Sequence, residues 1–256
     1  MRIDIMTLFP ETVGDMMNES ILGRAQERDF IKIECHQIRD YTTNKQNQVD
    51  DYPYGGGHGA VLQADPLFRC WEHICQEVGQ PRVHTIYMSP CGKTFCQADA
   101  KRLAREFDNL ILVCGHYEGI DERFLSTYVD EVVSLGDFVL SGGEIPACAL
   151  MDAVVRQLPG AIKDLSTSDE SFATGLLDAP HYTRPEVWRG MPVPEVLLSG
   201  HHKNIEKWSR EKSLELTLQT RPDLITIADS SGLLTKEDYK FLRSLGAKIE
   251  SRGGRR

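Results

Sequence analysis

The sequence predicts an α/β fold built on a largely parallel sheet. Three observations predict it. Short apolar runs suited to strands recur from the N-terminus to Leu135. Helical patterns of roughly 10–15 residues separate them, the rhythm of βαβ units. Several of the runs are continuously apolar rather than alternating, as strands covered on both faces are.

Met1–Leu8 places Ile3 and Ile5 on one side and reads as the first strand, and Phe30–Cys35 (FIKIEC) has the same period of two. His84–Met88 (HTIYM), Leu110–Cys114 (LILVC) and Glu131–Leu135 (EVVSL) follow. The first two are closed by turn residues, Ser89-Pro90-Cys91-Gly92 and Gly115. The helical patterns are Ile21–Arg28, Asp65–Val78, Gln97–Phe107 and Glu144–Leu158, the last stopped by Pro159-Gly160. Lys163–Gly175 is polar and rich in Ser, Thr and Asp, so it is expected to link a first domain, 1–162, to a smaller helical one, 176–256. Pro180–Pro194 holds four prolines and is incompatible with regular helix. Asn204–Leu218 is amphipathic, and Thr235 with Asp238 forms a capping box that opens a last helix, to be stopped at Gly246.

Composition narrows the function. With 41% hydrophobic and 26% charged residues the chain is an ordinary globular protein. Its longest stretch without Asp, Glu, Lys or Arg, Tyr52–Ala64, has 13 residues, too few to span a bilayer. MRIDIMTLFPE turns acidic early and has no signal-peptide core, so a cytoplasmic protein is expected. Seven cysteines without C-x-x-C spacing argue against a disulfide framework or zinc ribbon. The net charge of −9 is uneven: His201–Arg256 carries 12 Lys+Arg against 8 Asp+Glu, a basic segment behind an acidic body.

Three glycine-rich loops could hold a ligand: YGGGHG at Tyr54–Gly59, CGHYEG at Cys114–Gly119 and SLGDFVLSGG at Ser134–Gly143. The latter two follow strands, where ligands bind in parallel α/β sheets. Gly92-Lys93-Thr94 imitates the end of a P-loop, but the glycine needed five residues earlier is Tyr87. No G-x-G-x-x-G follows a strand, and there is neither a G-x-S-x-G elbow nor an H-E-x-x-H. Glu118, Asp121, Glu122 and Asp137 lie in or beside the loops. Backbone and carboxylates suit a neutral or cationic ligand, such as a positively charged nucleoside, better than a triphosphate.

VDDYPYGGG (Val49–Gly57), LILVCGHYEGIDERF (Leu110–Phe124), SLGDFVLSGGE (Ser134–Glu144), GLLDAPHYTRPEVW (Gly175–Trp188) and VPEVLLSG (Val193–Gly200) occur in this order. Together with MTLFPE at Met6–Glu11 they closely resemble the bacterial tRNA (guanine-N1)-methyltransferase family, TrmD, up to about Trp208. The resemblance implies a SPOUT-type fold, a parallel sheet tied in a deep trefoil knot plus a small helical C-terminal domain, working as an obligate homodimer. It implies S-adenosylmethionine as methyl donor, held by Tyr87, Met88, Ser89, Pro90, Gly115, Tyr117 and Glu118. Leu135, Gly136, Asp137, Phe138, Val139, Leu140, Ser141, Gly142, Gly143 and Pro146 complete that set. The implied acceptor is N1 of the guanosine 3′ to the anticodon, at tRNA position 37. Neutral guanine carries a proton on N1, so a general base is required. The family's linker Asp precedes Ser-Phe; here Glu170 precedes Ser171-Phe172 and Asp169 stands one residue earlier, so the base is Glu170 or Asp169. The family's Arg, which would face the charge growing on O6, aligns with Arg156. His58 stands where the family usually has Pro and is read as a turn residue. His181, Tyr182, Arg184, Lys203, Lys207, Trp208 and Arg210 would grip the anticodon stem-loop through phosphate contacts and stacking. Magnesium is implied by the family, but no metal cluster is visible in the sequence. Neither DNA nor membrane is expected as a partner.

Overall fold

A computed structural model describes residues 1–57, 59–79, 83–161, 171–172 and 174–249. The chain divides into two compact units, Met1–Lys163 and Asp164–Arg256.

In the first unit, β1 (Arg2–Thr7), α1 (Pro10–Met17), α2 (Ser20–Glu27) and β2 (Lys32–Gln37) come first. A short hairpin of β3 (Asp50–Asp51) and β4 (Val61–Leu62) leads into α3 (Ala64–Val78) and β5 (His84–Thr94). Then come α4 (Gln97–Glu106), β6 (Asn109–Cys114), α5 (Glu122–Tyr128), β7 (Glu131–Ser134) and α6 (Glu144–Val155). Five strands form one sheet in the order β2-β1-β6-β5-β7. Every pairing in it is parallel.

Side-chain alternation divides the core into two layers. Ile3, Ile5, Ile86, Met88, Leu110, Leu112 and Cys114 face one way, onto Val13 of α1, Leu22 of α2, Leu103 of α4 and Leu150 and Val154 of α6. Met6, Tyr87, Ile111 and Val113 face the other, onto Leu67, Cys70 and Ile74 of α3 and Phe124 of α5. Both faces are covered, which is why LILVC is continuously apolar.

β5 departs from its sequence reading. The turn residues Ser89–Gly92 do not end it; they loop out of register, so that Val133 of β7 pairs with both Met88 and Lys93. The helix expected over Glu144–Leu158 ends at Val155 and tightens into three-residue turns, Gln157 N–H to the Val154 carbonyl and Leu158 N–H to the Val155 carbonyl, ahead of Pro159. Helix α1 opens on Pro10, whose fixed φ suits the first helical position.

The second unit contains the hairpin β8 (Val187–Trp188) and β9 (Met191–Pro192), then α7 (Glu195–Leu198), α8 (His202–Thr220), α9 (Pro222–Ser230) and α10 (Lys236–Ser244). Leu176, Leu214, Ile225, Ala228 and Leu242 form its core. Thr235 Oγ1 accepts from the Asp238 N–H at 3.2 Å while Asp238 Oδ2 accepts from the Thr235 N–H at 2.8 Å, the capping box read from the sequence. No helix among the described residues is long and apolar enough to cross a membrane.

Candidate active site

Strands β6 and β7 send their C-terminal loops, and β5 between them sends its looped-out residues Ser89–Gly92, to one place. Ser89–Gly92, Gly115–Gly119 and Leu135–Gly143 surround a cavity of about 290 Å³. Of the residues proposed to hold the methyl donor, Tyr87, Met88, Ser89, Pro90, Gly115, Tyr117, Glu118, Leu135, Gly136, Phe138, Val139, Leu140, Ser141, Gly142, Gly143 and Pro146 line it. Asp137 does not. Cys91, His116, Gly119, Val133 and Ser134 also line it. His116, Gly119 and Ser134 lie in the glycine-rich loops read from the sequence, but none of the five was among the donor contacts that the family resemblance implied.

The loops are pinned by their own backbone. The Gly143 N–H donates to the Gly115 carbonyl at 2.9 Å, and His116 and Gly142 form an antiparallel bridge. The Glu118 N–H donates to the Ala60 carbonyl, and Leu62 donates to Gly119, which seats the loop between β3 and β4 against CGHYEG. The Ser134 hydroxyl donates to the Gly136 carbonyl at 3.0 Å. Tyr87 is buried behind Gly115. Burial pushes its phenol above the ordinary tyrosine pKa, against a smaller lowering from its hydrogen bond with Ser89.

Glu118 is the one charged side chain lining the cavity among the described residues. A pocket of backbone amides, apolar walls and one carboxylate has nothing to neutralise a triphosphate, and suits a ligand carrying a single positive charge.

The sequence profile described as tRNA (Guanine-1)-methyltransferase TrmD matches residues 1–227. The chain belongs to the TrmD family. It is 49% identical over 255 residues to a tRNA (guanine-N(1)-)-methyltransferase of Alkaliphilus oremlandii, covering 97% of this chain and 100% of that one. Proteins of the same name from Desulforamulus reducens (49% over 246 residues, 96% of this chain, 95% of that one) and Herminiimonas arsenicoxydans (49% over 251 residues, 96% and 100%) agree.

The other residues to which the TrmD resemblance gives a role are spread through the chain. Asp169 and Glu170 lie outside the described residues, as does His58. Arg156 caps the C-terminus of α6, whose N-terminus supplies Gly143 and Pro146 to the cavity. Twelve helical residues separate those ends by about 18 Å.

In the second unit Arg184 and Lys203 are exposed. His181 pairs with Asp178 at 2.9 Å, and Lys207 with Glu211 at 3.8 Å. Tyr182 and Trp208 pack ring to ring at 6.2 Å. Arg210 is bound inward: its Nη2 reaches Asp238 at 2.9 Å and its Nε reaches the same carboxylate at 3.1 Å. Sequence reasoning passed over Trp188 and Arg189, whose guanidinium lies 5.1 Å over the exposed indole. The cue was the adjacent Trp-Arg in PEVWRG, a cation–π pair.

Asp4, Glu34 and His36 place three possible metal-ligand atoms within 4.8 Å of one another. Arg2 already fills that group, with Nη2 at 2.8 Å from Asp4 and 2.7 Å from Glu34. It is an ion-pair network rather than a fit for magnesium, and no chemical step is assigned to a protein-bound metal.

Proposed function

We propose that this TrmD-family chain transfers the methyl group of S-adenosylmethionine to N1 of the guanosine at tRNA position 37. The observation that carries the reading is the cavity: three loops of adjacent strands, a backbone lining and one carboxylate among the described residues, Glu118, in a chain of this family. When bound there, S-adenosylmethionine supplies an electrophilic methyl group on a sulfonium.

The chain's own residues do the rest. Backbone groups of Gly115–Gly119 and Leu135–Gly143 orient the donor, and the apolar walls exclude water. Asp169 or Glu170 takes the proton from guanine N1 as the methyl arrives, since the neutral base has no free lone pair there. Arg156 stabilises the negative charge that develops on O6. Arg184, Lys203 and Lys207 neutralise phosphates, Tyr182, Trp188 and Trp208 offer stacking surfaces, and the target base is flipped out of its stack.

The active unit is a homodimer in this reading. An arginine some 18 Å along α6 from the cavity wall belongs to the cavity of the other copy. Exposed apolar residues at the start of that helix and before it, Ile145, Phe138 and Val139, offer the surface two copies would share. The hydrogen-bonded meeting of the Gly115–Gly119 and Leu135–Gly143 loops is read as part of the trefoil knot of the family, and the protein as cytoplasmic.

The test is to incubate the protein with unmodified tRNA transcript and methyl-labelled S-adenosylmethionine, then digest to nucleosides. Label in 1-methylguanosine, absent from a transcript with adenosine at position 37, supports the reading. Label in a ribose-methylated nucleoside, or none, overturns it.

A further inference from the structure

Helix α6 is apolar almost throughout its buried side, carrying Ala147, Cys148, Leu150, Met151, Val154 and Val155, yet its first residue is a buried glutamate. Glu144 Oε1 accepts a hydrogen bond from Thr7 Oγ1 at 2.8 Å, between residues 137 positions apart. Thr7 is fully buried at the C-terminal end of β1. Its hydroxyl is committed on both sides, because its oxygen also accepts from the Phe9 N–H at 2.9 Å.

The other carboxylate oxygen, Oε2, presses on the cavity wall. A Cβ added at Gly142 would collide with it, and would lie 2.9 Å from Cδ2 of His116. His116 bridges to Gly142 and packs its ring 5.3 Å from that of Phe9. The contacts close a circuit: Thr7 to Glu144, Glu144 against Gly142, Gly142 to His116, His116 to Phe9, and Phe9 back to Thr7. Two members, Gly142 and His116, line the cavity. Glu144 itself does not.

A buried carboxylate is a poor choice for stability alone, since apolar side chains of similar volume often do as well or better. Local rules are broken where function requires it. We propose that Glu144, held by Thr7, is a positioning residue for methyl transfer: its carboxylate fixes Gly142 and His116 so that the last loop closes on the donor in one geometry. This rests on the cavity being the donor site. The same carboxylate sets the start of α6 and hence the line along which Arg156 is presented.

The experiment measures S-adenosylmethionine affinity by calorimetry, with kcat and KM for the donor, on Thr7→Val, Glu144→Ala, Glu144→Gln and the double variant Thr7→Val/Glu144→Ala. Folded fraction is checked by circular dichroism. Thr7→Val and Glu144→Ala should each weaken donor binding about tenfold, and the double variant should be no worse than Glu144→Ala, because both act through one contact. In Glu144→Gln the amide oxygen still accepts from Thr7, so affinity should stay within about threefold of the parent. If Glu144→Ala does not fold, near-isosteric Thr7→Val and Glu144→Gln carry the test. Variants that melt earlier yet bind the donor with the parent's affinity overturn the proposal and leave the cavity reading intact. A parent protein that binds no donor removes the cavity reading itself.

Discussion

The backbone N–H of Gly143 donates to the carbonyl of Gly115 at 2.9 Å, joining the loop after β7 to the loop after β6. The bond requires a residue without a side chain at 143. A Cβ there would lie 2.7 Å from the Cα of Cys114 and 3.0 Å from the Gly115 nitrogen, and neither backbone atom can step aside. Gly143→Ala is therefore expected to cost about 1–3 kcal/mol through overpacking. Urea denaturation checks it; an unchanged midpoint and slope would show that the loops have slack.

Arg156 and the cavity it serves are expected to belong to different copies. Gly115→Ala spoils the cavity and Arg156→Ala removes the cation, so each homodimer should be inactive. Mixing the two variants after reversible unfolding should restore roughly a quarter of the parent rate, since half the dimers are mixed and each mixed dimer holds one intact site. No recovery would place Arg156 beside its own chain's cavity.

Asp4 should govern acid stability. Burial pushes its carboxyl up, but hydrogen bonds from His36 and Arg2 outweigh that and hold it below the usual aspartate range. A depressed folded pKa gives stability that is fully present above the unfolded value of about 3.9 and is lost as pH falls through the folded one. Asp4→Asn removes the charge of the one fully buried carboxylate in this group and leaves Arg2 with the more exposed Glu34 and Glu77. It should cost about 3 kcal/mol at pH 7 and flatten the fall in stability below about pH 4. Urea denaturation at a series of pH values checks both.

Arg210 should report on folding and Arg184 on RNA. Asp238 is buried; burial raises its carboxyl, while Arg210 and the Thr235 cap lower it further, for a net depression. Arg210→Ala leaves that carboxylate without its cation and should destabilise the second unit by about 2 kcal/mol, discounted because the arginine is partly exposed. Arg184→Ala and Lys203→Ala should leave stability unchanged, weaken tRNA binding and each lower the salt dependence of log K by about 1. Thermal melts and filter binding at several salt concentrations separate the two behaviours.

The strands were legible because their chemistry is local. LILVC becomes β6 over Asn109–Cys114, and FIKIEC lies two residues from β2 at each end. The last helix was legible for the same reason, since Thr235 and Asp238 cap each other across three residues. Strand order was not, because β1 pairs with β6 across about a hundred residues and nothing at either end records the partner. The looping-out of Ser89–Gly92 inside β5 was hidden too: a Pro-Gly segment reads as a turn whether the strand stops or resumes. Most of the cavity lining followed from recognised motifs, but the contact between Thr7 and Glu144, which stand in two of those motifs, did not. A threonine ending a strand and a glutamate opening a helix are ordinary until the fold brings them to 2.8 Å.

The most direct measurement is calorimetric titration of S-adenosylmethionine into the parent protein and into Gly115→Ala. A Cβ at Gly115 would press on the buried Tyr87 ring, 2.7 Å from its hydroxyl and 2.8 Å from a ring carbon, and push it out of the cavity wall. One site per chain in the parent, weakened at least about tenfold in a variant with unchanged circular dichroism, is the predicted result. No binding by the parent, or equal affinity in the two, would contradict the assignment of this cavity to the methyl donor.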